Sequence, residues 1–123
     1  MASSTLHPSW LTGLASSSGY QVMFTSRGGD GNQKSPYADF NICHYTGDDL
    51  AHVAASRQML ISELGLDAGS LVVPRQTHSA NVRVIDSLPV DPAAIEGVDA
   101  LVTRLPEVAV GVSTADCVPV VIV

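Results

Sequence analysis

The chain has 123 residues, of which 46% are hydrophobic and 15% are charged, and its formal net charge is −6. This length corresponds to about one domain, and the hydrophobic content is ample for a buried core. The acidic balance argues against an extended contact with nucleic acid, because such a contact needs basic side chains that neutralise phosphates. It still permits a small anion, which one arginine and a few backbone N–H groups can bind.

The sequence predicts neither a membrane span nor a signal peptide. No apolar segment reaches the ~18 residues that a helix needs to cross a bilayer. Residues 1–18 lack the positively charged start and the continuous apolar core of a signal peptide. The two cysteines, Cys43 and Cys117, lie far apart and match no zinc-knuckle spacing, so a disulfide scaffold is not expected. We therefore expect a cytoplasmic protein.

The first part of the chain predicts a loose arm, a strand and a glycine-rich turn. Residues 1–18 are rich in serine, and we interpret them as a loosely ordered arm. The alternation in residues 20–26 predicts a strand that ends before Arg27 and the turn-forming residues 28–32. This turn is either an ordinary tight turn or, together with Arg27, a place where an anion binds.

A long loop and the clearest helix follow. Residues 33–45 show no clear period and predict an ordered loop of the kind that often covers a site, with one short strand at 40–42. The spacing then predicts a helix over about 48–64, which begins at a near capping box formed by Thr46 and Asp49. His52 falls outside the apolar stripe and is interpreted as solvated. The predicted stripe consists of Leu50, Val53, Ala54, Ile61 and Leu64.

The second half of the chain predicts short strands joined by turns. Strands are expected at 71–73, 81–85 and 98–103, and the apolar runs 108–112 and 118–123 predict two buried strands. One good helix and connections too short for helical crossovers predict an α+β fold with a mixed or mainly antiparallel sheet. Because the chain ends within the last apolar run, we expect the domain to be incomplete at its C-terminus and the apolar end to seek a partner.

Two polar islands interrupt these apolar runs. Asp116 and Cys117 lie between the last two runs, where polar groups are costly to bury, and Pro119 favours a bulge or an edge position there. The other island, residues 75–78, contains His78. A thiol and an imidazole presented at strand ends are the parts of either a metal site or a Cys/His nucleophilic pair. Each also has an ordinary interpretation, as a core cysteine and as a solvated loop histidine.

Several motifs, in order, carry a family resemblance. They are TSRGG (25–29), FNI (40–42), HYTGD (44–48), Val53 with Ser56 and Arg57, QTH (76–78), EGVDALVT (96–103) and TADCVPV (114–120). In this order and spacing they resemble the YfiH-type family, also called laccase-domain or multicopper polyphenol oxidoreductase-like proteins. The resemblance extends from about Tyr20 to the last residue. It implies an α/β sandwich of the YfiH type, with residues 19–123 as the N-terminal part of a single domain.

The resemblance also implies a function and a set of site residues. Members of this family are cytoplasmic enzymes that phosphorolyse adenosine, inosine and methylthioadenosine and that deaminate adenosine. The implied cofactor is zinc, held by two histidines and one cysteine, and copper is the alternative that came with the polyphenol oxidase label. By position, His78 and Cys117 match two of the metal ligands. The residues that match pocket positions are Arg27, Asn41, His44 and Gln76. In the family the third ligand is a histidine in an AHAGWRG-like motif, which is expected beyond residue 123.

On this basis we expect a zinc-dependent purine nucleoside phosphorylase with adenosine deaminase activity. The metal would lower the pKa of bound water or polarise a substrate oxygen. Arg27 is the candidate for the phosphate, because its fork matches two phosphate oxygens. Either Asp116 or His44 would pass protons during deamination, and Asp116 has an equal interpretation as a structural carboxylate that caps backbone N–H groups. With two protein ligands alone, zinc would be held too weakly for a dependable catalytic site.

Three alternatives stay open. A metal-free hydrolase would use Cys117 as the nucleophile and His78 as the base. A copper-type polyphenol oxidase would use the other metal. A non-catalytic fragment would self-associate through the edge of its exposed C-terminal strand.

Overall fold

The protein is described by a computed structural model, which covers residues 8–29 and 35–123. In chain order its elements are β1 (Leu11–Ser17), β2 (Tyr20–Thr25), α1 (Leu50–Leu64), β3 (Leu71–Val72), β4 (Val82–Ile85), a short 3₁₀ helix (Pro92–Ile95), β5 (Ala100–Thr103) and β6 (Ala109–Val110). One α-helix with short antiparallel and parallel strand pairs confirms the predicted α+β class. Within these residues, no helix has the length and apolar character that a bilayer crossing needs.

The contacts divide the chain into two compact units. The first comprises the residues up to Ser56 together with Val120–Val123, and the second comprises Arg57–Pro119. Residues 1–7 of the predicted arm and residues 30–34 of the predicted turn and loop lie outside the described part of the chain, whereas residues 11–17 of the arm form β1. The extent of a single domain from residue 19 to residue 123 stays a prediction.

A β-hairpin begins the first unit. Strand β1 pairs with β2 in antiparallel orientation, with Leu11 opposite Thr25. A two-stranded hairpin alone is marginally stable in water. Here the indole of Trp10 stacks on the ring of Phe40 with the ring centroids 4.1 Å apart, and both side chains are buried. This stack anchors the start of the hairpin to the loop that carries Asn41.

Helix α1 begins slightly later than predicted. The sequence predicts about 48–64, and the helix spans Leu50–Leu64. Asp49 lies immediately before it, and its Oδ1 accepts the N–H of Ala51 at 3.0 Å. Thr46 instead donates its hydroxyl to a backbone carbonyl of the preceding loop. The predicted capping box is therefore wrong, because Asp49 by itself occupies the capping position.

The buried face of α1 differs from the predicted stripe. The most buried residues of the helix are Val53, Ser56 and Leu60. Leu50 is 67% exposed and Ala54 is also exposed, so the predicted stripe is wrong at these two positions. The three buried residues follow the i, i+3, i+7 spacing of one helix face. The predicted stripe omitted both Ser56 and Leu60, which lie on this face.

Ser56 is buried at little cost because its hydroxyl is fully bonded. The Oγ atom donates to the backbone carbonyl of His52 at 2.9 Å and accepts the backbone N–H of Asn41 at 3.1 Å. Buried polar groups are tolerated when they are paired in this way. Ser56 therefore ties helix α1 to the loop that precedes it.

The second unit contains two parallel strand pairs. Strand β3 pairs with β6, and β4 pairs with β5. Three predicted strands, 71–73, 81–85 and 98–103, are confirmed with shorter bounds. The described strands form one antiparallel and two parallel two-stranded sheets, so both kinds of pairing are present. Parallel strands need a crossover of about a dozen residues or more. Residues 86–99 supply it between β4 and β5 with a 3₁₀ helix instead of an α-helix.

The short strand predicted at 40–42 does not form, and the last two predicted strands form only in small part. Of residues 108–112, Ala109–Val110 is a strand, and residues 118–123 form none. The apolar side chains of residues 118 and 120–123 are between 61% and 90% exposed, so the prediction of a buried C-terminal strand is wrong. An apolar segment is buried only where another element covers it. Among the described residues, no strand pairs with this segment.

Candidate functional site

The predicted site residues fall in both units. Arg27, Asn41 and His44 belong to the first unit. The second unit contains Gln76, His78, Asp116 and Cys117.

Gln76 joins the two polar islands of the second unit. Its side-chain Nε2 donates to the carbonyl of Ser113 at 2.9 Å, and its Oε1 accepts the N–H of Ser113 at 2.7 Å. Ser113 lies directly before the TADCVPV motif that contains Asp116 and Cys117. One side chain amide therefore holds together two motifs that are far apart in the sequence. These two hydrogen bonds give Gln76 a structural role, in addition to the place at a pocket that the family resemblance implies.

The loop that carries His78 is organised by Asp99. The carboxylate of Asp99 accepts the backbone N–H groups of Thr77 at 3.0 Å, His78 at 3.1 Å and Ser79 at 3.0 Å. It also accepts the hydroxyl of Ser79 at 2.7 Å. His78 has a φ of 59°, in the left-handed region that few residues other than glycine adopt. The four hydrogen bonds hold the loop in this conformation.

The same hydrogen bonds keep Asp99 ionised. The hydroxyl of Ser79 and the three backbone N–H groups lower the pKa of Asp99 to about 2, although partial burial opposes this. Asp99 is therefore an acceptor at neutral pH and holds no proton to give. The sequence interpretation missed this residue. The signal was present, because Asp99 lies within the EGVDALVT motif, but no role had been assigned to it.

His78, Asp116 and Cys117 all present exposed side chains, and the thiol of Cys117 forms no disulfide. The donor types suit zinc, since imidazole nitrogen and thiolate sulfur are its usual ligands. These donors are too few for a complete zinc site. The described residues contain no group of three or more His, Cys, Asp or Glu side chains that could hold a metal ion. The chemistry of the two donors therefore fits zinc, and a complete ligand set needs a further donor from outside the described residues.

Asn41 is engaged within its own loop. Its Oδ1 accepts the N–H of Cys43 at 3.0 Å, and its Nδ2 donates to the carbonyl of Cys43 and to Oδ2 of Asp48, both at 3.2 Å. These bonds fix the shape of the segment that leads to His44. The ring of His44 is exposed and lies edge-on to Tyr45, with ring centroids 5.3 Å apart.

His52 is not the solvated helix residue that the sequence predicts. Its side chain is 29% exposed, and its Nδ1 lies 2.5 Å from Oδ2 of Asp48. The bond to Asp48 raises the pKa of His52. For Asp48, partial burial favours the neutral carboxyl, but the hydrogen bonds from His52, Asn41 and the Asp49 N–H outweigh it and lower the pKa. The periodicity could not reveal the pair, because it depends on the loop before the helix.

Arg27 extends from the end of β2 into an exposed position. Its Nη1 donates to the carbonyl of Pro36 at 3.4 Å. The next residue, Gly28, has a φ of 66°, and a Cβ there would lie 3.2 Å from the Cβ of Trp10. The turn after Arg27 therefore needs glycine at this position. An exposed guanidinium beside a tight glycine turn is compatible with an anion site.

A cavity of about 180 Å³ lies elsewhere in the second unit. It is bounded mainly by residues 83–91, together with Ala94. None of the predicted site residues lines it. This volume is below the ~300 Å³ at which ligand pockets of drug-like size begin. The cavity therefore does not mark the predicted site.

Comparisons with known proteins point to one family. A family model described as multi-copper polyphenol oxidoreductase laccase matches residues 21–123. An adenosine deaminase from an unknown prokaryotic organism is 49% identical over 112 residues, which is 85% of this chain and 42% of that protein. A purine nucleoside phosphorylase of Corynebacterium glutamicum is 45% identical over 100 residues, covering 81% of this chain and 40% of the relative. One from Streptomyces griseus is 40% identical over 99 residues, with coverages of 80% and 40%.

The chain therefore spans about two fifths of the length of these curated relatives. No solved structure matches it at a significant level.

Proposed function

Because the chain belongs to the multi-copper polyphenol oxidoreductase laccase family, the YfiH-type family that its motifs resemble, we propose that it serves in the processing of purine nucleosides. Phosphorolysis of adenosine, inosine and methylthioadenosine is the proposed main reaction, with deamination of adenosine beside it. The names of the relatives support this proposal. The structural observation that carries it is the pair of hydrogen bonds between Gln76 and Ser113, which joins the QTH motif to the residue directly before the TADCVPV motif.

We propose zinc as the cofactor, with copper as the alternative metal. His78 and Cys117 would supply an imidazole nitrogen and a thiolate sulfur, and a further ligand would come from outside the described residues. Bound zinc would lower the pKa of a water or polarise a substrate oxygen.

Phosphate would bind at Arg27. In phosphorolysis a phosphate oxygen forms a bond to C1′ of the ribose, the N-glycosidic bond breaks, and the purine leaves with the electron pair and takes up a proton. The exposed guanidinium of Arg27 offers paired N–H donors that match two phosphate oxygens.

The remaining site residues have proposed roles in proton transfer and in shaping the pocket. Deamination adds water to C6 of adenine and releases ammonia, so a proton must move to the leaving nitrogen. The exposed side chains of Asp116 and His44 are the two candidates for this transfer. Asn41 and Gln76 would shape the pocket through the loops that their amides hold.

The test measures zinc content, phosphate-dependent release of adenine and release of ammonia from adenosine. It uses this chain and a fusion of it to the unmatched remainder of the corynebacterial relative. We expect about one zinc per chain and turnover in the fusion, with loss of both in Cys117→Ala. The control is Cys43→Ala, since Cys43 is the only other cysteine and is buried. Turnover that survives in Cys117→Ala, or a fusion without turnover, would contradict the proposal.

A metal-free cysteine hydrolase makes the opposite prediction for Cys117. A nucleophilic thiolate should react with alkylating agents at the same rate with and without zinc, whereas a ligand thiolate should be protected when zinc is added.

We also propose that the chain self-associates through residues 118–123. These residues carry a run of exposed apolar side chains, and an exposed apolar segment of high β-propensity favours pairing with another chain. Sedimentation over a range of concentrations should show association that Ile122→Lys abolishes. A chain that stays monomeric at high concentration would remove this second role without affecting the proposed chemistry.

A further inference from the structure

Successive backbone N–H groups that point to one spot form an anion-binding concavity in many proteins. The loop of residues 77–79 forms such a concavity, and the anion inside it is the carboxylate of Asp99. Its Oδ1 accepts from Thr77 and Ser79, and its Oδ2 accepts from the N–H of His78. Of the three backbone N–H groups, Oδ2 therefore accepts only that of His78, whereas Oδ1 accepts the other two.

The ends of this loop are fastened without Asp99's carboxylate. On one side Arg75 accepts the N–H of Gly97 at 2.9 Å and donates to the carbonyl of Ile95 at 3.0 Å. On the other side the Nδ2 of Asn81 donates to the carbonyl of Gly97 at 2.9 Å. The backbone carbonyl of Asn81 also accepts the N–H of Asp99 at 3.0 Å. Other groups therefore hold the two ends of the loop to residues 95–99. The Asp99 carboxylate determines the conformation of residues 77–79 between them.

We propose that Asp99 is a positioning residue, whose carboxylate holds His78 in the left-handed conformation and so sets the direction of the His78 imidazole. A φ of 59° is uncommon for a residue with a Cβ, which is crowded in this region, although histidine tolerates it better than most residues. The direct bond from the His78 N–H to Oδ2, flanked by two bonds to Oδ1, compensates for this crowding. The relevance of this positioning to zinc rests on the ligand role proposed for His78.

The test is Asp99→Asn, which keeps the shape of the side chain. An asparagine that retains its oxygen at the Oδ1 position places an NH₂ group at the Oδ2 position, opposite the N–H of His78, so that one bond is lost selectively. Ser79→Ala keeps the carboxylate but removes the hydroxyl bond to it, together with the contacts of that hydroxyl with the carbonyl of Gly97 and the N–H of Asn81. The matched control is Asp86→Asn, an exposed aspartate of the same unit. Thermal unfolding identifies any variant that fails to fold.

Two measurements by NMR follow the variants. The coupling between the amide proton and the α-proton of His78 reports φ directly and needs no metal. A zinc titration uses the chain fused to the remainder of the corynebacterial relative, which would supply the further ligand. Followed through the imidazole signals of His78, it reports affinity for the metal. We expect Asp99→Asn to change the coupling and to weaken zinc binding by about 10- to 100-fold, the usual effect of losing a group that orients a ligand. Ser79→Ala should weaken it less, and Asp86→Asn should change neither.

The outcomes separate this proposal from the function on which it rests. A folded Asp99→Asn variant with the wild-type coupling overturns the positioning role, whatever happens to zinc. A changed coupling with unchanged zinc affinity also overturns it, because the direction of the imidazole would then not matter to the site. A fusion of the wild-type chain whose His78 signals do not respond to zinc contradicts the ligand role of His78, and the coupling alone then decides whether Asp99 fixes its conformation.

Discussion

The pair of His52 and Asp48 illustrates how a single contact changes two titrations in opposite directions. The pKa of His52 is raised from its ordinary 6.5 by the bond to Asp48, so the stability due to the protonated ring is present below about pH 6.5 and is lost as the pH rises through the folded pKa. The pKa of Asp48 is lowered from 3.8, so its stabilisation is present above about pH 3.8 and is lost as the pH falls through the folded pKa. The pair is therefore fully effective between these two values.

This pair predicts a pH-dependent difference in stability between the wild type and His52→Gln. The difference in the free energy of unfolding should be largest near pH 5 to 6 and should shrink as the pH rises above the folded pKa of His52. Urea denaturation over this pH range measures it. Asp48→Asn should lose the same pH dependence, and adding His52→Gln to it should change that dependence no further. Asp48→Asn should be the more costly single variant, because it also alters the partner of Asn41 and of the Asp49 N–H. A difference that grows with pH would show that the sign is wrong.

Glycine at position 28 is required by both conformation and space. Its φ is +66°, and an added Cβ would lie 3.1 Å from the hydroxyl of Ser9 and 3.2 Å from the Cβ of Trp10. We expect Gly28→Ala to destabilise the protein by about 2 kcal/mol. The control is Gly19→Ala, since a Cβ at Gly19 meets no atom within 4 Å. Thermal unfolding of both variants checks this, and equal stabilities would contradict the crowding at position 28.

At the scale of single elements, α1 shows that a helix face is defined by burial and not by apolar character alone. Ser56 lies between Val53 and Leu60 on the buried face, and its hydroxyl bonds to the carbonyl of His52 and the N–H of Asn41. The helix is therefore joined to the preceding loop by a hydrogen bond inside the core. Asp49, at its start, caps it from the same loop.

Removing this hydroxyl should be costly in spite of the better helix propensity of alanine. We expect Ser56→Ala to destabilise the protein by about 2 kcal/mol, because the N–H of Asn41 loses its partner in a buried place. Ser62→Ala is the matched control on the exposed part of the same helix and should stay within about 0.5 kcal/mol of the wild type. Denaturant titrations compare the two, and a neutral Ser56→Ala would mean that water replaces the bond.

The short strands behave differently from the helix. Strands β3 and β6 have two residues each and pair in parallel, as do the four-residue strands β4 and β5. Apolar residues predicted the positions of β3, β4 and β5 well and that of β6 only in part. Their partners depend on how the crossover of residues 86–99 runs, and no local pattern contains that information.

At the scale of the whole molecule, Gln76 is the clearest connection between distant parts of the sequence. Its amide pairs with both backbone groups of Ser113, at 2.9 Å and 2.7 Å. The Gln76 amide bonds to Ser113 as the backbone of a neighbouring strand would. It therefore fixes the distance between the loop of residues 75–78 and the loop that contains Asp116 and Cys117.

Breaking this connection should loosen the site without unfolding the chain. In Gln76→Leu, which removes both bonds, hydrogen exchange at the Ser113 amide should speed up by about tenfold, the equivalent of roughly 1.4 kcal/mol. The zinc affinity proposed for His78 and Cys117 should fall as well. Gln58→Leu, on the exposed face of α1, is the control and should change neither. Unchanged exchange at Ser113 in Gln76→Leu would show that the two loops are held by other contacts.

The sequence by itself determined the α+β class, the helix to within about two residues at each end, the positions of four of the strands and the family. These features depend on local periodicity, turn residues and ordered motifs, all of which are written along the chain. It also singled out Gln76, His78, Asp116 and Cys117 as neighbours of predicted strand ends, since polar residues between apolar runs are visible without coordinates.

Only the tertiary structure decided which groups meet. It assigned Asp99 to the His78 loop, paired Asp48 with His52, placed Ser56 in the core and left residues 118–123 uncovered. Each of these features depends on contacts between residues that no local sequence pattern connects. The hydrogen bonds of a carboxylate, the burial of a serine and the covering of an apolar strand are set by whichever partner the fold brings near, and periodicity carries no record of that partner.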